Sequence, residues 1–232
     1  MRYFLFLLSY FLVACGTNSK PDTKTVTTPP FWNDIQNFKK QDSVTSPPKN
    51  AILLIGSSSF TMWKDVQDYF PGYTIINRGF GGSTLLDQIR YADAIIFPYE
   101  PKQIVIYCGE NDLASADTVT ATMVVDRFRQ LYQIIRERTK APILYISMKP
   151  SPSRRHLFQK MREANQAIAL FLGESDVRGS LTNKNVYVNV HQKMLNESGQ
   201  PIPEIFLEDS LHMNAKGYAI WQKEIQPFLL KD

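Results

Sequence analysis

Five short runs of the chain are apolar at nearly every position instead of every second one: residues 51–55, 73–76, 103–107, 142–147 and 186–190. A strand hydrophobic on both faces must be covered on both faces, as in a buried parallel sheet. Between these runs lie stretches whose apolar residues return every three to four positions, at 84–97, 119–138 and 157–172; in the second, Val124, Phe128, Leu131 and Ile135 form one stripe. That is the period of an amphipathic helix. A last helix is predicted over 215–230 with Asn214 as its cap, and an earlier one over 31–40, ahead of Ser46-Pro47-Pro48. Strand alternating with helix predicts a three-layer α/β/α sandwich around a mostly parallel five-stranded sheet, flavodoxin-like in outline. In such sheets ligands collect at the carboxyl ends of the strands.

The start of the chain follows another pattern. Met1 and Arg2 precede an apolar run at 3–14 that ends in Leu12-Val13-Ala14-Cys15-Gly16. The run is shorter than the roughly 20 residues a bilayer span requires, yet suits a secretory signal. Its ending resembles the lipobox of bacterial lipoproteins, which implies cleavage after residue 14, acylation of Cys15 and a membrane partner held through that lipid. The expected organisation is a signal at 1–14, a lipidated cysteine and Thr/Pro/Lys-rich tether at 15–30, an N-terminal helix and lead-in at 31–50, and the sheet domain at 51–232. The expected location is the cell envelope, as an exported lipoprotein at an outer membrane or facing the periplasm.

Composition narrows the function classes. At 232 residues and 44% apolar the chain can bury a full core, and 26 basic against 22 acidic residues is too even for a nucleic-acid footprint. Cys15 and Cys108 cannot form a disulfide framework. His156 and His191 have no partners at metal-ligand spacing, so neither metal nor cofactor is expected. Cys108, Trp63 and Trp221 read as core packing.

The strand exits carry the candidate chemistry. Gly56-Ser57-Ser58-Ser59 follows the first strand, where a tight turn can thrust a nucleophilic hydroxyl over the sheet edge. Asn77-Arg78-Gly79-Phe80-Gly81-Gly82-Ser83 follows the second, its glycines letting backbone N–H groups approach a ligand. Gly109-Glu110-Asn111-Asp112 follows the third, and Asp209-Ser210-Leu211-His212 sets a carboxylate three residues before an imidazole, a base with its own orienter. Each piece alone has an ordinary role as a cap or turn; their joint placement at one sheet edge is what points to catalysis.

In this order the motifs resemble those of the GDSL or SGNH hydrolases, over roughly residues 51–230. The resemblance implies a serine nucleophile at Ser58, a triad completed by His212 and Asp209, and an oxyanion hole formed by Ser58, Gly82 and Asn111. Ser57 stands where the family's namesake aspartate usually sits. The implied activity is hydrolysis of carboxylic esters, such as short-acyl or acetyl esters of carbohydrate or lipid, through an acyl-enzyme. Two alternatives are a cell-envelope O-acetyltransferase using the same nucleophile, and a non-catalytic flavodoxin-like binding module. The second leaves Asn111, Asp209 and His212 without a role. Arg78, Lys149 and Arg154 also fall on loops at this edge and are expected to contact an anionic or sugar-bearing substrate.

Overall fold

The computed structural model describes residues 28–177 and 184–231. The signal and Cys15 expected within 1–27 lie outside the described residues. In chain order the elements are α1 (Trp32–Val44), β1 (Ile52–Gly56), α2 (Ser58–Thr61), α3 (Val66–Tyr69), β2 (Ile75–Gly79), α4 (Leu85–Ile95) and β3 (Gln103–Tyr107). They continue with α5 (Glu110–Ser115), α6 (Ala121–Arg138), β4 (Ile143–Ile146), α7 (Phe158–Val177), β5 (Val186–Val188), α8 (Val190–Lys193) and α9 (Ala215–Ile225).

The five strands form one parallel sheet in the order β2-β1-β3-β4-β5. Alternate residues of each strand serve opposite layers, as the two-residue repeat requires. Leu53, Ile55, Ile104 and Ile106 join the core under α1, α4, α6 and α7. Ile52, Leu54, Val105 and Tyr107 join the core under α2, α3, α8 and α9. Full burial of each such side chain contributes about 1.5–3 kcal/mol, so both layers are held by packing. Trp63 and Trp221 are wholly buried in the second core, as expected.

Local signals explain the helix boundaries. Thr84 and Asp87 form a capping box at α4, Thr120 accepts from the Met123 N–H at α6, and Asn214 accepts from Lys216 and Gly217 at α9. Several boundaries differ from the sequence expectation: β5 ends at Val188 instead of 190, and α7 continues past 172 to Val177. β2 runs through Asn77 and Arg78, polar residues expected in the loop, because Asn77 donates to the Phe60 carbonyl at 2.7 Å and Arg78 has partners on other elements. α9 stops at Ile225, where a 3₁₀ turn containing Pro227 begins, since proline cannot supply the helical N–H. α1 continues past residue 40 to Val44. The end of the chain lies at the amino ends of the strands: Gln103, first residue of β3, donates to the Phe228 carbonyl and accepts from the Leu230 N–H. Among the described residues no helix is long and apolar enough to cross a membrane.

Candidate active site

β1 ends in Gly56, whose φ of 147° favours glycine and whose α-carbon faces β3 so closely that an added Cβ would lie 2.0 Å from the Tyr107 carbonyl oxygen. Ser57 continues in extended backbone and donates its N–H to that same carbonyl at 3.1 Å. The chain then turns into α2, and its first residue is Ser58. The next residues fix it: Phe60 is wholly buried and Tyr218 donates to the Ser59 carbonyl at 2.8 Å. Burial separates the three consecutive serines, because Ser57 and Ser59 are 4% and 1% exposed while Ser58 is half-buried.

The Asp209 and His212 side chains are brought together by a tight loop closed by the Phe206–Met213 bridge and a 2.7 Å hydrogen bond from the Leu207 N–H to the His212 carbonyl. Asp209 Oδ1 accepts the N–H groups of Leu211 and His212, each at 2.9 Å, and Oδ2 lies 2.6 Å from His212 Nδ1. An ionised carboxylate can only accept, so Nδ1 carries the proton and Nε2 is left with its lone pair. That Nε2 is 2.9 Å from Ser58 Oγ.

Partial desolvation raises the Asp209 carboxyl, but the hydrogen bond from the His212 ring and those from the two backbone N–H groups outweigh it and pull its pKa down to about 2. A folded-state value below the ordinary carboxylate pKa adds stability that is present above about pH 4 and lost as the pH falls toward 2. Because the carboxylate is 47% exposed, the effect is small. In denaturant unfolding, the stability gap between wild type and Asp209→Asn should narrow from about pH 5 to about pH 2; a constant gap would refute this assignment.

The loop after β2 lies beside the serine: a Cβ on Gly81 would sit 3.8 Å from Ser58 Cβ. The Phe80 N–H donates to the Gly56 carbonyl at 2.9 Å, and Ser83 Oγ and Gln88 Nε2 lie 3.2 and 3.3 Å from the same oxygen. Gly82 adopts a φ of 81° in this turn. The N–H groups of Ser58 and Gly82 donate to no acceptor among the described residues, so both are available to a ligand. Asn111 donates one amide hydrogen to the Ser83 carbonyl at 3.0 Å, which orients its side chain and leaves the second hydrogen. Below it, wholly buried Asp112 accepts from the Leu85 N–H at 2.9 Å and from Arg127 at 2.8 Å.

Of the three cations expected to meet substrate, two are buried against carboxylates instead of standing free at the rim. Arg78 is 9% exposed, donates to Tyr99 Oη at 2.6 Å and pairs with Asp42 of α1. Lys149 is 1% exposed and lies 2.8 Å from Glu110 Oε2 and 3.3 Å from Tyr107 Oη. Each is drawn inward by a carboxylate distant in sequence, since a buried charge persists only when paired. Arg154, half-buried in the 3₁₀ turn Pro152–Leu157, has no ion pair among the described residues. His191 is buried with Nδ1 3.0 Å from the Met148 carbonyl, and burial pushes its pKa down. Burial likewise pushes the Cys108 thiol up, consistent with packing. Among the described residues no His/Cys/Asp/Glu group could hold a metal ion.

The sequence pattern did not single out Phe31, Glu110 or Ser151. Phe31, in left-handed backbone at φ 62°, packs its ring 5.3 Å from that of Phe80 and borders Gly82; Tyr91 Oη donates to the Pro30 carbonyl at 2.6 Å and holds the segment there. Glu110 stands inside the motif that supplied Asn111, and that neighbour was the one available signal. A groove of about 510 Å³ lies between α1 and the edge of β2, and neither Ser58, Asp209 nor His212 lines it.

A model of the GDSL-like lipase/acylhydrolase family matches residues 42–220. The fold is similar to that of a GDSL-like lipase of Bacteroides thetaiotaomicron, at 19% identity and a TM-score of 0.67 over 83% of this chain and 95% of that one. It is also similar to a lipase/acylhydrolase of Enterococcus faecalis, at 19% identity and a TM-score of 0.58 over 79% and 99%. A catalytic mutant of an acetylxylan esterase of Geobacillus stearothermophilus matches at 14% identity and a TM-score of 0.60 over 78% and 94%. No curated protein matches the sequence.

Proposed function

The chain belongs to the GDSL-like lipase/acylhydrolase family, and from that premise we propose that it is a serine hydrolase that cleaves carboxylic esters through an acyl-enzyme on Ser58. The single observation behind this reading is the continuous path from Ser58 Oγ to His212 Nε2 at 2.9 Å and from His212 Nδ1 to Asp209 Oδ2 at 2.6 Å. Ser58 Oγ attacks the ester carbonyl as its proton passes to Nε2, and Asp209 stabilises the imidazolium that forms. The N–H groups of Ser58 and Gly82 and the second amide hydrogen of Asn111 receive the negative charge that develops on the carbonyl oxygen. Collapse expels the alcohol, which takes the proton from His212; water activated by the same imidazole then releases the acid.

The acetylxylan esterase among the similar structures supports acetyl esters of carbohydrate as first substrates, with short-acyl lipid esters beside them. Arg154 is kept as the proposed substrate contact. The anchor expected at Cys15 is proposed to hold this chemistry at the cell envelope.

The test is a fluorophosphonate, which labels only an activated serine, combined with turnover of acetyl, butyryl and long-chain esters and of acetylated xylan. Labelling mapped to Ser58 together with turnover is the expected result; a folded protein that neither labels nor hydrolyses any of these esters overturns the reading. Asn111→Ala should lower kcat by about 10²–10³, near 3 kcal/mol, with KM little changed. Its unfolding free energy should fall by only about 1 kcal/mol, the worth of one lost hydrogen bond to Ser83. A variant with unchanged kcat removes Asn111 from the oxyanion site.

A further inference from the structure

Beneath the rim, Tyr107, Glu110, Lys149 and Ser151 join their side chains in one buried cluster. Glu110 Oε2 accepts from Tyr107 Oη at 2.5 Å and lies 2.8 Å from Lys149 Nζ, while Ser151 Oγ is 3.3 Å from Glu110 Oε1. Removing an ion pair from water is costly, and an apolar replacement of the same size often stabilises a fold at least as well. The steps proposed above use none of these four side chains. What sets the cluster apart is where its two ends lead.

At one end Glu110 immediately precedes Asn111, in the first turn of α5. At the other, Ser151 Oγ is also 3.3 Å from the Leu211 carbonyl, so its single proton lies between that oxygen and Glu110. The Ser153 N–H adds a 3.0 Å hydrogen bond to the Ser210 carbonyl. Ser210 and Leu211 are the residues between Asp209 and His212. Residues 149–153 therefore brace the loop that carries the imidazole against the segment that carries the amide.

We propose that Glu110 and Ser151 are positioning residues that couple the Asn111 amide to His212. The cluster sets the height of Leu211 above the sheet, and through it the separation between His212 Nε2 and Ser58 Oγ. This rests on the reading of Ser58, His212 and Asn111 given above. A displacement near 1 Å at reacting groups can cost about a hundredfold in rate, so a brace that acts through the backbone has room for a large effect.

Ser151→Ala removes the side-chain link from Glu110 to Leu211 while leaving Glu110 paired with Lys149. Its kcat on a reactive acetyl ester should fall about tenfold with KM unchanged, and the rate of fluorophosphonate labelling should fall in the same proportion. The unfolding midpoint should stay close to wild type, and Ser151→Thr, which restores the hydroxyl, should recover most of the rate. Wild-type kcat in Ser151→Ala overturns the proposal, as does a loss that only tracks the folded fraction or that Ser151→Thr fails to recover. A double variant, Glu110→Met with Lys149→Met, removes both charges and the acceptor of the Ser151 hydroxyl together so that no lone ion is buried; it should show the same kcat loss at unchanged KM, and wild-type kcat there overturns the role of Glu110. Wild-type protein that does not label at Ser58 sinks the functional reading itself, whereas labelled wild type with an unaffected Ser151→Ala sinks the brace alone.

Discussion

Ser58→Ala should lose ester turnover by on the order of 10⁶ in kcat and keep its fold. The loss is expected to be large because nucleophile and base act as a unit: without the hydroxyl, the Nε2 lone pair has no attacking group to deprotonate, and what remains is carbonyl polarisation by the N–H donors. The fold survives because the hydroxyl's hydrogen bond is to His212, while Ser59, Phe60 and Met62 anchor the turn through backbone and ring contacts. The thermal midpoint should move by no more than roughly 1–2 °C, as for a surface substitution in a domain of this size. Purified Ser58→Ala assayed beside wild type at equal concentration is the check. Turnover within tenfold of wild type would assign the nucleophile elsewhere.

Gly56→Ala acts on the fold instead. The added methyl would sit 2.0 Å from the Tyr107 carbonyl oxygen and 2.8 Å from its carbon, backbone against backbone, so no rotamer relieves the clash. Gly56 is paired in register with Tyr107, and moving β3 away would carry Gly109 to Asn111 with it. The Gly56 carbonyl also receives the Phe80 N–H and the Ser83 and Gln88 side chains, so the loop after β2 moves as well. Destabilisation of about 4–5 kcal/mol is expected, with the thermal midpoint lowered by roughly 10–20 °C. Calorimetry or circular dichroism melting would register it, and an unchanged midpoint would contradict the geometry at this strand end. Whatever fraction stays folded should turn over slowly, because the same shift moves Asn111.

Which features were legible in the sequence follows from the range over which each is determined. β1, β3 and β4 are apolar on both faces, a signal contained in a few consecutive residues, and they fall within a residue or two of where the pattern placed them. Helices α6 and α7 declare themselves through spacing, and Asn214 through its cap. The apolar pattern stops short of the end of β2 because the strand's second half is polar, and what satisfies Asn77 and Arg78 is Phe60, Tyr99 and Asp42, none of them a sequence neighbour. That the loops carrying Ser58 and His212 meet was legible because parallel sheets gather their loops at one edge. The fate of the basic residues was not: a lysine two residues past a strand reads as exposed until Glu110, 39 positions away, is found beneath it. Nor could pattern alone choose among three consecutive serines, a choice made by which hydroxyl the turn buries.

The position of Phe31 against Phe80 and Gly82, with residues 228–230 tied to Gln103 at the far ends of the strands, gives the domain two unlike poles. The described residues begin at the pole that holds Ser58 and the loop after β2 and finish at the opposite one. A support fastened close to Phe31 would therefore lie near Ser58 and the loop after β2, and one fastened close to Leu230 would lie at the opposite end of the sheet.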